Sequence, residues 1–296
     1  MMEALRKARV AFQGEPGAFS EAAAVQLLGE GITPIPCDTF HAAFAAMAGK
    51  ADALLVPVEN SLAGSVVRVF DLLLESDLRI IAETILPIEL QLIAQPGTFL
   101  ENIRSVASHP MALAQCERLF ASHPQWKRIP AEDTAGSVRE VLAQDDKSRA
   151  AIASRRAAEH YGGIILREAV QDNAGNFTRF VLLVPSAHAE QFSMDAKTSP
   201  SSATENRATL GSKMSLALRL AHRPGALLAA LEPFSRNEVN LLKIESRPIH
   251  GRPWEYQFFI DVESADRSRL DRSLEEARRA CSEVRVLGLY TAANSN

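Results

Sequence analysis

Cysteine is scarce in this chain: three in 296 residues, Cys37, Cys116 and Cys281, odd in number and far apart. Without a C-x-x-C pair there is no redox dithiol or cysteine metal site to build on, and the pattern suits a reducing cytosol. No run of about 18 apolar residues occurs, which excludes a spanning helix. Arg6, Lys7 and Arg9 could open a signal peptide, but Gln13, Gly14 and Glu15 interrupt the apolar stretch that follows, so no secretion is expected. Basic charge is not in excess either. Lys plus Arg total 32 against 36 Asp plus Glu, a net charge of −4, which leaves no footprint for nucleic acid and no polybasic patch for a membrane. The seven histidines are scattered with no H-E-x-x-H spacing, and neither a G-x-S-x-G nucleophile elbow nor a phosphate-binding P-loop is present. A small-molecule ligand is the expectation that remains.

What is present is ample apolar material, 47% of the chain, at a length that suits one large domain plus a small one. From Arg9 to Pro185 short aliphatic runs alternate with segments of helical period, the pattern of an α/β fold with crossover helices. Strands are predicted at Val10 to Phe12, Ile32 to Pro36, Ala53 to Val58, Ser105 to Ala107, Ala150 to Ala153 and Phe180 to Val184. Phe40, Phe44 and Met47, and likewise Val66, Phe70 and Leu73, recur at helical spacing and read as core-facing stripes. Residues 186–211 turn to Ser, Thr, Ala, Asn and charge, with Pro200 flanked by serines, and read as a linker. Beyond it, strand, helix (Pro224 to Phe234), two strands, helix (Arg267 to Ala280) and strand give βαββαβ, the order of a ferredoxin-like unit.

Several predicted strands run into residues that open the next helix: Gln13 to Ser20, Glu59-Asn60-Ser61, Ser108-His109-Pro110, Asp133-Thr134 and Ser154. Free N–H groups and a partial positive dipole suit such ends to carboxylates or phosphates, and in α/β sheets they converge on one crevice. The same residue types are ordinary helix caps. The first loop also has a reading as a dinucleotide site with Asp38 as the ribose acid. Against it, Gly14-x-x-Gly17 lacks the full G-x-G-x-x-G, and Pro16 removes an N–H.

The segment Asp172-Asn173-Ala174-Gly175-Asn176-Phe177-Thr178-Arg179-Phe180 resembles the Thr-Arg-Phe motif region of prephenate dehydratases. Gly14-Glu15-Pro16-Gly17-Ala18-Phe19-Ser20 is similar to that family's first glycine loop, Pro57-Val58-Glu59-Asn60-Ser61 to its second motif, and Ser108 to Cys116 to its third. Met111 stands where many relatives have Gln. The second domain resembles the family's ACT domain, with Gly225-Ala226-Leu227-Leu228 and Glu245-Ser246-Arg247-Pro248 matching the two motifs associated with phenylalanine.

The resemblance implies an α/β catalytic domain over residues 8–185, two-lobed like periplasmic binding proteins, with the active site in the cleft. One lobe would span about 8–85 with 165–185 and the other 86–164; the linker is 186–211 and the ACT domain 212–293. The chain starts at the first dehydratase strand, and a monofunctional enzyme is expected, without a fused chorismate mutase. The implied reaction converts prephenate to phenylpyruvate with loss of carbon dioxide and water. Thr178 is placed beside the leaving hydroxyl, as proton donor or as the group that orients it. Asn60, Ser61, Ser108, Gln115 and Phe180 are expected at the substrate, and Ser20 with neighbouring N–H groups at a carboxylate. Arg179 would pair with a substrate carboxylate or with a buried acid such as Asp172, and Glu59 is read as structural. The residues Gly225, Ala226, Leu227, Leu228, Glu245, Ser246, Arg247 and Pro248 would hold phenylalanine, in a homodimer or homotetramer. No cofactor and no metal are expected. Arogenate dehydratase and a non-catalytic small-molecule sensor remain as alternatives.

Overall fold

The computed structural model describes residues 5–189, 212–249, 251 and 254–293. It divides into two compact units, Met1–Ser76 with Thr84–Val181, and Asp77–Glu83 with Leu182–Asn296.

The first unit begins with β1 (Arg9–Gln13), whose Val10, Ala11 and Phe12 are all fully buried, the mark of a parallel strand covered on both faces. It lies between β2 (Thr33–Cys37) and β3 (Ala53–Asn60), parallel to both. α1 (Phe19–Leu28) and α2 (Phe40–Ala46) supply the crossovers. The expected Phe40, Phe44 and Met47 stripe is only half-buried, and it is Ala43 and Ala46 that α2 sets in the core. Small side chains let this helix lie close on the sheet. β3 does not run into a helix as expected. It turns at Asn60 into the short β4 (Gly64–Ser65), and α3 (Val67–Glu75) starts after it, burying Val69, Phe70, Leu72 and Leu73. β11 (Phe177–Pro185) lies beside β3, and β5 (Leu78–Pro87) beside β11.

A second sheet forms the other lobe of this unit, from β6 (Gln91–Ala94), β7 (Ser105–Ser108), β8 (Lys127–Pro130), β9 (Arg149–Ala153) and β10 (Ile164–Arg167), in the order β10-β6-β9-β7-β8. Its helices are α4 (Pro110–Ala114), α5 (Glu117–Ser122), α6 (Thr134–Ala143) and α7 (Arg155–Tyr161). Leu92, Val106, Phe120, Trp126 and Ile152 form the core on one face, and Ile93, Val138, Val141, Ala151 and Ala157 on the other. β10 pairs with β6, so the chain leaves this lobe after Arg167, within a few residues of the approximate boundary at 165.

The second unit is the expected βαββαβ: β12 (Ser212–Arg219), α8 (Ala226–Arg236), β13 (Asn240–Pro248), β14 (Tyr256–Ser264), α9 (Arg267–Ala280) and β15 (Glu283–Thr291). The strand order is β13-β14-β12-β15, antiparallel where β12 meets β14 and β15 and where β13 meets β14. Met214, Leu216, Leu218, Phe234, Ile260, Val262, Leu270 and Leu274 fill its core. On the opposite face of β12, Lys213 Nζ meets the Glu83 carboxylate at 2.9 Å, with both side chains buried. The division into units falls inside β5 and β11, and Gly288 of β15 pairs with Ile80. The expected linker begins at 186, but Ser186 bonds Asp77 within the second unit; residues 190–211 of that expectation lie outside the described residues.

Candidate active site

The first unit contains a cavity of about 380 Å³ whose walls come from both lobes: Gly14, Phe19, Ser20, Pro57, Asn60 and Thr178 from the first, and His109, Met111, Gln115, Asp133 and Thr134 from the second. Ile88, Leu90, Val66 and Phe180 make much of the remaining surface apolar. The described residues that line it include no Lys or Arg; its formal charges are the carboxylates of Glu132 and Asp133.

Thr178, the second residue of β11, is 8% exposed, and its Oγ1 accepts a hydrogen bond from Asn60 Nδ2 at 2.9 Å. Asn60 is held by the turn that ends β3: its Oδ1 accepts from Leu62 N at 3.0 Å and Ala63 N at 2.8 Å. Those backbone donors fix which end of the amide is oxygen. Because Thr178 accepts from Asn60, its own hydroxyl proton is left for another acceptor. Asn60 Nδ2 also meets Asn176 Oδ1 at 2.8 Å, and Asn176 Nδ2 donates to Gln115 Oε1 at 3.0 Å.

The two serines of the second and third motifs are engaged elsewhere. Ser61 Oγ donates to Gly175 O at 2.8 Å and accepts from Phe177 N at 2.9 Å, which ties the 173–178 loop to the end of β3. Ser108, fully buried, donates to Ile152 O at 2.6 Å and links β7 to β9. Neither is among the residues lining the cavity, and Arg179 is not among them either. Arg179 Nη2 lies 3.5 Å from Glu59 Oε2, while Asp172 spends its two oxygens on the backbone N–H groups of Glu117 and Arg118. Arg179 therefore pairs with Glu59, whose side chain is 39% exposed, and not with Asp172.

The helix starts separate into capped and uncapped. Asp133 accepts from Gly136 N, and Ser154 from Ala157 N, so the first turns of α6 and α7 carry their own acceptors. α1 has Ala18 at its N-cap and no side-chain cap; its first-turn N–H groups, next to the buried Ser20, keep their capacity for an anion. Asn176 and His109 were not singled out from the sequence. Asn176 lies inside a quoted motif and is 1% exposed, which a polar residue between Gly175 and Phe177 does not announce. His109 caps α4, its Nδ1 accepting from Met111 N.

In the second unit Gly225 takes a left-handed φ of 78° at the start of α8, Leu228 is 72% exposed, Ala226 is buried and Leu227 half-buried. Glu245, Ser246, Arg247 and Pro248 complete β13, the strand at one edge of the ferredoxin-like order.

Residues 10–188 match the family model for prephenate dehydratase, and residues 214–279 that for the ACT domain. The chain belongs to the prephenate dehydratase family. Within that family it is 40% identical over 301 residues to arogenate dehydratase 3 of Arabidopsis thaliana, covering 95% of this chain and 66% of that one. It thus spans about two thirds of that plant relative's length. A prephenate dehydratase from Arthrobacter aurescens, solved in complex with L-Phe, superposes with a TM-score of 0.80 at 34% identity, covering 96% of this chain and 90% of that one. GqqA, described as a novel type of quorum quenching acylase, superposes with a TM-score of 0.82 at 33% identity, covering 96% of this chain and 98% of that one.

Proposed function

We propose that this chain converts prephenate to phenylpyruvate in phenylalanine synthesis, that L-phenylalanine controls it through the ACT domain, and that it works in the cytosol as a homodimer or homotetramer. The observation that carries the catalytic reading is the Thr178 hydroxyl. It is buried at a cavity, accepts from Asn60, and is free to donate.

Prephenate becomes aromatic when its ring carboxylate leaves as carbon dioxide and the electron pair of that C–C bond moves through the ring to expel the hydroxyl, which needs a proton to depart as water. The substrate supplies the driving force; the protein supplies placement. A donor at the departing oxygen lowers the barrier, and Thr178 O–H is polarised toward donation by the N–H it accepts. A cation at the ring carboxylate would stabilise the ground state as that charge is being lost, and among the described residues no Lys or Arg lines this cavity. The side-chain carboxylate is assigned to the uncapped start of α1 beside Ser20, and Gln115 to a hydrogen bond with substrate. Ser61, Ser108 and Arg179 serve this scheme from behind the wall, by holding the 173–178 loop and the strands in place.

Phenylalanine as effector is supported by the ACT match and by the L-Phe complex of the Arthrobacter relative. A zwitterion needs N–H donors, acceptors and an apolar slot; the glycine-opened start of α8 and the polar edge of β13 offer them. In a homo-oligomer, effector binding that alters protomer packing would bias the cleft. Three free thiols fit a reducing compartment.

The test is turnover of the purified chain with prephenate and with arogenate, with and without L-phenylalanine. Prephenate turnover that phenylalanine suppresses supports both domain roles. Thr178→Ala is expected to lower kcat at least about a hundredfold with little change in Tm; retained turnover would remove Thr178 from the mechanism. Turnover confined to arogenate moves the substrate to the amino analogue, the reading favoured by the Arabidopsis relative, and silence on both favours a sensor. Acyl transfer, suggested by GqqA, requires an activated nucleophile, and among the described residues Ser20, Thr134 and Thr178 have no hydrogen bond to a histidine or carboxylate.

A further inference from the structure

We propose that Asn176 is a positioning residue that sets which end of the Gln115 amide faces the cavity. The inference rests on the dehydratase reading above and names a residue of the cavity wall that acts through its neighbour.

The argument starts from groups that cannot be reversed. Leu62 N and Ala63 N are obligate donors, and both donate to Asn60 Oδ1. The other end of that amide is therefore nitrogen; its two hydrogens have three acceptors in reach, and they go to the two nearer ones, Asn176 Oδ1 at 2.8 Å and Thr178 Oγ1 at 2.9 Å, rather than to Phe177 O at 3.1 Å. With its oxygen so used, Asn176 presents nitrogen to Gln115, whose Oε1 accepts it. Gln115 is then left with its Nε2 hydrogens as the free end, with no partner among the described residues, on a side chain that lines the cavity. Asn176 is 1% exposed, so solvent has no access to compensate a reversed dipole. A backbone turn at the end of β3 thus dictates, through two amides, that a residue at the C-terminal end of α4 in the other lobe offers a donor. For a substrate bearing two carboxylates and a hydroxyl, a donor attracts and the amide oxygen in its place repels.

Asn176→Asp separates this role from a merely structural one. The carboxylate still accepts from Asn60, so Thr178 keeps its partner, but it has no N–H for Gln115. The Gln115 amide must rotate to donate Nε2, turning its oxygen to the cavity. Steady-state kinetics, run with whichever of prephenate and arogenate the wild type turns over, are expected to show KM up by about tenfold or more and kcat within about threefold. In a Gln115→Ala background the same substitution is expected to raise KM by a clearly smaller factor, because the group it acts through is gone and only the direct repulsion of the new carboxylate at the wall remains. Equal losses in both backgrounds, or a fall in kcat with KM unchanged, would overturn the proposal. Should the buried carboxylate lower Tm below the assay temperature, Asn176→Ala replaces it: a smaller KM rise, again absent with Gln115→Ala, supports the role, and an additive loss refutes it. A wild type silent on both substrates brings down the dehydratase reading and this inference together, and is distinguished by being seen before any variant is made.

Discussion

Cys116 is fully buried among Leu113, Leu119 and Phe120, and burial, with the charges of Asp172 and Glu117 adding to it, pushes its thiol up to about 12. Cys281 rises to about 11 by burial alone, and half-buried Cys37 is also raised, first by desolvation and then by Asp38. The thiolate is the reactive form, so at pH 8 all three should label slowly, Cys37 first and Cys116 only on unfolding, as mass spectrometry after timed alkylation would read. The same shift has a consequence for stability. Starting from an ordinary 9.0, the unfolded Cys116 loses its proton first as pH rises, so the native state binds more protons and its stability falls between about 9 and about 12. Thermal melts across that window should slope less steeply in Cys116→Ala. At this scale what the motifs made legible is proximity: Thr178, Asn60 and Gln115, from three separate motifs, line one cavity. A role was not legible where it depends on a partner far along the chain: Ser108 looks like a helix cap until Ile152 O is found opposite it.

Among the elements, the glycine loop before α1 shows what a backbone position can demand. Gly17 has φ +85°, and a Cβ there would sit 2.6 Å from Ala157 Cα on α7. Its N–H donates to Glu21 Oε2 at 2.7 Å and its carbonyl accepts from Ser154 Oγ at 2.6 Å, while Arg156 Nε reaches Glu21 Oε1 at 3.0 Å. This loop belongs to the first lobe and Ser154, Arg156 and Ala157 to the second, so the contact holds the two lobes at a fixed approach beside the cavity. Gly17→Ala should cost about 1–3 kcal/mol through strain and overpacking, visible as a lower Tm. It should also weaken kcat/KM beyond what the stability loss explains, since lobe closure sets the distance between Asn60 and Gln115; unchanged kinetics would show the lobes meeting correctly without it. The sequence announced the need for glycine here, but as a turn. The close approach that makes it necessary involves a helix some 140 residues onward in the chain, which periodicity has no means to report. Strands without apolar runs escaped for a related reason: β8 reads Lys-Arg-Ile-Pro, an exposed edge strand whose place comes from pairing with β7 rather than from its own pattern.

At the scale of the whole molecule, alternation of strands and helices sufficed to separate an α/β part from a βαββαβ part, because each pattern is local. Where the compact units divide was not legible, because that depends on pairing across the chain. Asp77–Glu83 belongs with the C-terminal unit, through Gly288 beside Ile80 and through Glu83, which takes Lys213 Nζ and Ala293 N. A fragment of residues 182–296 would bury Lys213 without its counter-charge, a loss of about 3–5 kcal/mol by the usual behaviour of broken buried pairs. Such a fragment is expected to melt well below the intact chain, and Lys213→Met in the fragment to recover part of the difference; a fragment as stable as the parent would show that the ion pair is dispensable. Genetic exchange meets the same wiring. A single crossover after residue 181 would bring in a foreign C-terminal unit but leave the resident Asp77–Glu83 strand to receive it, so a working chimera needs two junctions, and a lineage that swapped this unit would carry the record of the exchange at both places.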